Sequence, residues 1–236
     1  MSMATWLADH RPRLLDELFV FIRAPSVSTD PSYADGIARA AEILWARLER
    51  IGMQDVQLLD GGGHPAVYGA WLGAPGAPTL LVYGHYDVQP PDPVDQWQSP
   101  PFEPTIRDGR IVARGASDDK SPLWIAISAA EAWLATTGAL PVNVKFLLEG
   151  EEEIGSRTLP VILERHRDLL AADVLVSADG GRWRAGPPKR ERQQPRQSQP
   201  RDRRAHGRAG PAFRPLRRAR RQCRHRAGAL GGDAAR

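Results

Sequence analysis

Residues 80–90 read LLVYGHYDVQP. An apolar run, suited to a buried strand, stops at His85 and Asp87, two residues apart. Three other stretches hold the remaining candidate acidic groups. ARGASDDKSP (113–122) sets Asp118 and Asp119 just before an apolar helical pattern. VKFLLEGEEEIGS (144–156) follows a strand-like run with Glu149, Glu151, Glu152 and Glu153. VLVSADGG (174–181) places Asp179 after a fourth apolar run. In open α/β sheets the ligand crevice lies outside the carboxyl ends of the strands. One imidazole and several carboxylates delivered there make a hard, anionic site suited to zinc or a similar divalent ion.

Each stretch also has an ordinary explanation. A His-x-Asp is usually a surface or capping pair. Asp118 and Asp119 stand where aspartate caps a helix. A run of glutamates is usually a solvated face, and Asp179 before two glycines suits a turn. Those explanations are independent of one another, whereas a metal site accounts for all four stretches at once.

Working outward, helical spacing is expected over residues 5–24 and 33–51, with stops near Pro25 and Gly52. Short β-prone runs follow at Val56–Leu59, Ala66–Leu72 and Thr79–Tyr83, and a hairpin is expected around Asp108-Gly109 within 102–113. Residues 121–137 read as a buried helix, Val142–Leu148 as a core strand, 157–170 as a helix and Val174–Ser177 as another core strand. Helices alternating with apolar strands argue for an α/β sandwich.

Charge divides the chain of 236 residues. Its net charge of +4 is the sum of −9 over residues 1–185 and +13 over 186–236. The second segment is rich in Arg, Gln and Pro and poor in large apolar residues, a composition that does not build a core. Two domains of different kind are therefore expected: 1–185, an acidic enzyme-like domain, and 186–236, a disordered basic tail. The single cysteine, Cys223, excludes a disulfide framework. With no apolar run of signal-peptide or membrane-span length, the expected setting is soluble and cytoplasmic.

The order H-x-D-V-Q-P, G-A-S-D-D-K, E-G-x-E-E-x-G-S and S-x-D resembles the carnosinase-like dipeptidase branch of the zinc-dependent aminoacylase/carboxypeptidase superfamily, over roughly residues 5–185. The resemblance implies the catalytic α/β/α sandwich of a two-zinc exopeptidase, acting on dipeptides or short peptides. It implies two divalent ions, zinc first, with manganese or cobalt as alternatives. By motif, His85 and Asp179 would hold one ion and Glu153 the other. Asp118 would bridge them, Glu152 would be the general base, and Asp87 would orient His85. The family also has a cis peptide after the bridging aspartate, here Asp118–Asp119.

Family members are longer, and carry a second lid and dimerisation domain and a final metal-binding histidine. Residues 186–236 show neither. Read one base out of frame, Gly210–Arg214 can encode D-L-H-S-G, a motif of that second domain. A frameshift near Ala185–Gly186 is therefore expected, leaving a truncated chain with impaired activity and a doubtful homodimer. Two other readings compete. One is an N-acyl amino acid amidohydrolase of the same superfamily. The other is nucleic-acid binding through the Arg-rich tail, disfavoured because the tail has one Phe and no Tyr.

Overall fold

The computed structural model describes residues 1–180. Helix α1 (Met3–Arg23) opens on Ser2, whose hydroxyl accepts from the Thr5 amide, and ends where Ala24 turns extended ahead of Pro25. Helix α2 (Ala34–Arg50) follows a 3-10 turn at Pro31–Tyr33. Gly52, at φ +90°, closes it as expected. Strands β1 (Gln54–Leu59), β2 (Ala66–Trp71) and β3 (Thr79–His85) come next, then a hairpin of β4 (Thr105–Arg107) and β5 (Arg110–Val112). Helix α3 (Lys120–Thr137) leads to β6 (Asn143–Glu149), α4 (Leu159–Arg165) and β7 (Val174–Ser177).

Five strands form one mixed sheet in the order β1-β2-β6-β3-β7. The first two pairings are antiparallel, while β6, β3 and β7 run parallel to one another. Side chains alternate across the sheet as the pleat requires. Val67, Val82, Phe146 and Leu148 pack with α1, α2 and α3 on one face. Tyr68, Leu81 and Leu147 pack with Ile162 of α4 and Leu170 on the other. The result is the α/β/α sandwich implied by the resemblance. The three large helices are locked to each other by buried Arg47 of α2, which pairs with Glu17 of α1 and Glu131 of α3 at 2.5 Å each.

Two expectations need correction. The helix expected over 157–170 ends at Arg165, where His166 leaves helical geometry, and residues 166–170 form turns. Apolar spacing continues through Leu169 and Leu170, but it does not report where the backbone turns. Val174–Ser177 is not a core strand: all four residues are exposed, because β7 is the edge strand and pairs only with β3 among the described residues. The tail at 186–236, with Cys223, lies outside the described residues.

Candidate metal centre

The parallel trio β6-β3-β7 decides where the polar groups go. Three neighbouring strands pointing one way release their chains at one sheet edge. His85, the last residue of β3, is in register with Glu149, the last residue of β6. Asp179 follows β7 by two residues, after the Ala178 amide donates to Tyr83 O at 2.6 Å. Asp118 and Asp119 arrive from the start of α3, joined by the cis peptide implied by the resemblance.

His85 lies at the centre, fully buried. Its Nε2 is 3.0 Å from Asp118 Oδ1, and its Nδ1 is 3.1 Å from the Asp87 carbonyl and 3.3 Å from Asp87 Oδ1. Burial alone would push the imidazole's pKa down. The hydrogen bond and charge of Asp87, with the charges of Asp119 and Asp118, outweigh that and raise it to about 10. An imidazole so surrounded takes up a cation, either a proton or a metal ion.

Asp119 is also buried, and it does not act as the helix cap that its position suggested. One carboxylate oxygen accepts from the His85 amide at 3.2 Å, and the other has no partner among the described residues. Burial pushes its pKa up, to about 7. Nor is the glutamate run a solvated face. Glu149 and Glu151 are buried, with Glu151 accepting from the His64 amide and from Thr158.

Glu152 and Glu153 sit on a 3-10 turn (Glu152–Ile154) that Gly155 closes at φ +86°. This irregular backbone lets adjacent side chains diverge. Their amides donate to Asp87 Oδ1 (3.2 Å) and Oδ2 (3.0 Å). Burial raises the Glu152 pKa, helped by Glu153, Asp179 and Asp87 and opposed by His85.

Two sets of candidate ligand atoms lie mutually within 4.8 Å: His85 with Asp118 and Asp179, and His85 with Glu152 and Glu153. Asp118 and Glu153 fall in different sets. Imidazole nitrogen and carboxylate oxygen are the donors that zinc and its neighbours accept. Asp118 and Asp179 are exposed, whereas His85 is buried.

Gln89 had no assigned role in the sequence reading, yet its Nε2 donates to Glu153 Oε2 at 2.8 Å. Its place within H-x-D-V-Q-P was the available signal. Lys120 is another: fully buried, it donates to Phe21 O at 3.0 Å and Ala24 O at 2.6 Å, tying the end of α1 to the start of α3.

Residues 81–207 match peptidase family M20/M25/M40. The match runs past residue 185 into the basic segment. A Beta-Ala-His dipeptidase from Homo sapiens is 36% identical over 173 residues, covering 68% of this chain and 34% of the relative. A Cysteinylglycine-S-conjugate dipeptidase from Corynebacterium striatum is 33% identical over 189 residues, covering 77% of this chain and 40% of the relative. In structure, the M20 family metallo-carboxypeptidase Sso-CP2 from Sulfolobus solfataricus superposes with a TM-score of 0.65 at 40% identity, covering 71% of this chain and 37% of that one. The chain thus spans between a third and two fifths of the length of the curated relatives described.

Proposed function

The chain belongs to peptidase family M20/M25/M40, and we propose that it carries the metal-binding part of a hydrolase of dipeptides or short peptides. The observation that supports this most strongly is that His85 lies within metal-ligand reach of Asp118 and Asp179 on one hand and of Glu152 and Glu153 on the other. The proposed assignment is His85 and Asp179 to one ion, Glu153 to a second and Asp118 between them, with zinc as the metal. Divalent ions bound there would lower the pKa of a water and polarise the scissile carbonyl.

The chain's own groups do the rest. The Asp87 carbonyl accepts from Nδ1 of His85, with the carboxylate beside it at 3.3 Å, and together they aim Nε2 toward Asp118. Glu152 is the general base: burial raises its pKa above the ordinary carboxylate value, which makes it a better acceptor for the proton of the attacking water and a better carrier of it to the leaving amine. Gln89 holds the Glu153 carboxylate to the turn. The proposed setting is the cytoplasm. Among the described residues no helix is long and apolar enough to cross a membrane.

We further propose that the segment 186–236, whose first part the family match still covers, is translated out of frame, and that this chain turns over dipeptides poorly. The test is a dipeptide hydrolysis assay with added zinc on this chain and on the frame-restored protein. Chelator-sensitive turnover by the restored protein, abolished by Glu152→Gln while zinc stays bound, is the expected result. Undiminished turnover in Glu152→Gln removes the assigned base.

A further inference from the structure

The link between α1 and α2 runs alongside the candidate centre and is stitched to it. Ser26 Oγ donates to Tyr86 O at 2.6 Å, and the Val88 amide donates back to Ser26 O at 2.9 Å. Val27 bridges Val88 in parallel. Each of these contacts joins backbone to its surroundings. One contact differs: Ser28 Oγ donates to Asp87 Oδ2 at 2.6 Å.

Asp87 is fully buried, and its carboxylate is shared in four directions. Oδ1 faces His85 Nδ1 at 3.3 Å and the Glu152 amide at 3.2 Å. Oδ2 faces the Glu153 amide at 3.0 Å and Ser28 Oγ. The Ser28 contact is the shortest of the four and the only one from a hydroxyl. Rotation of the carboxylate would break its charge contact with the imidazole, leaving only the Asp87 carbonyl at 3.1 Å, and would break its hold on the turn carrying both glutamates. The amides are set by the turn itself, so the hydroxyl is the donor that restrains the carboxylate from outside the centre.

We propose that Ser28 is a positioning residue: its hydroxyl fixes the Asp87 carboxylate plane, and through it the ring of His85 and the spacing of Glu152 and Glu153. This rests on the metal-centre reading above. Ser28 is itself only half-buried, so a smaller side chain opens no large cavity. The effect then falls on metal affinity rather than on folding.

The test compares Ser28→Thr with Ser28→Val in the whole chain, since these side chains match in shape and differ in the hydroxyl. Ser28→Ala and His85→Ala are run beside them. Zinc affinity is read by competition with a chromophoric chelator, the cobalt(II) absorption spectrum reports ligand geometry, and thermal unfolding of the metal-free chains reports the fold. The expected result is about tenfold weaker zinc binding and an altered cobalt spectrum in Ser28→Val and Ser28→Ala. Ser28→Thr should keep wild-type values, with metal-free unfolding alike in all. Equal affinities for the Thr and Val variants, with His85→Ala having lost zinc, overturn the proposal and leave the metal centre standing. So does a Val variant that fails to fold where Thr folds, because the role is then structural. If His85→Ala binds zinc like the wild type, the centre itself is wrong, and this proposal falls with it.

Discussion

Nδ1 of His85 lies 3.3 Å from Oδ1 of Asp87, and neither side chain has exposed surface. With the Asp87 carbonyl at 3.1 Å as well, the contact turns Nδ1 to Asp87 and leaves Nε2 beside Asp118, so ring orientation is fixed. Asp87→Asn keeps the volume and removes the charge. Zinc affinity should fall about 10- to 100-fold, the usual cost of losing a carboxylate behind a metal-bound histidine. Calorimetric titration checks this, and an unchanged dissociation constant counts against the orienting role.

The pH dependence of metal binding follows from the same pair. Burial alone would lower the His85 pKa. Asp87, Asp119 and Asp118 raise it instead, from 6.5 to about 10. Between those values the metal-free folded chain holds a proton that the unfolded chain has released. The stability from His85 is thus fully present below 6.5 and is lost as pH rises through 10. Zinc must displace that proton, so its affinity should rise with pH in the same window, by up to about tenfold per unit. Titrations at several pH values in non-coordinating buffer give the slope. A slope near zero across that window would count against the raised His85 pKa.

Lys120 offers a stability test independent of metal. Its ammonium gives second hydrogen bonds to Phe21 O and Ala24 O, which already accept from the Ala24 and Ser26 amides. It also lies 4.8 Å from the centre of the Phe21 ring. Burial pushes its pKa down to about 7, so part of what it gains is offset by desolvation. Lys120→Met should destabilise the metal-free chain by about 1–3 kcal/mol in urea unfolding, since each carbonyl keeps one donor. A neutral or stabilising result would show that desolvation outweighs the tie.

The basic segment yields a genetic prediction. The DNA should show a one-base insertion or deletion near codons 185–186. In the corrected frame, the codons under Gly210–Arg214 should read D-L-H-S-G. Deleting residues 186–236 should leave zinc affinity unchanged and abolish any retention on nucleic acid. An uninterrupted native frame would refute the frameshift.

Much of this was readable along the chain because the chemistry sits where apolar runs stop. The runs ending at His85 and Glu149 became adjacent parallel strands, and that adjacency brings the motifs together. What was not readable is three-dimensional. Asp119 stands at a capping position, yet turns its side chain to the His85 amide, 34 positions back. Val174–Ser177 has the composition of a core strand, but composition does not say how many neighbours a strand has; this one has β3 alone among the described residues. Ser28 is an ordinary polar residue in sequence, and Gln89 stands out only by its place in H-x-D-V-Q-P. Only the fold sets one against Asp87 and the other against Glu153.

The central claim is that ions are held at this sheet edge with Asp118 between them. The most direct test is zinc content per chain after loading and exhaustive dialysis, comparing wild type, Glu153→Ala and Asp118→Ala. The wild type should retain at least one ion, bound by His85, Asp118 and Asp179, and Glu153→Ala should keep that ion. Asp118→Ala should retain none. Wild-type zinc content in Asp118→Ala, or a wild-type chain that retains no zinc, would contradict the account.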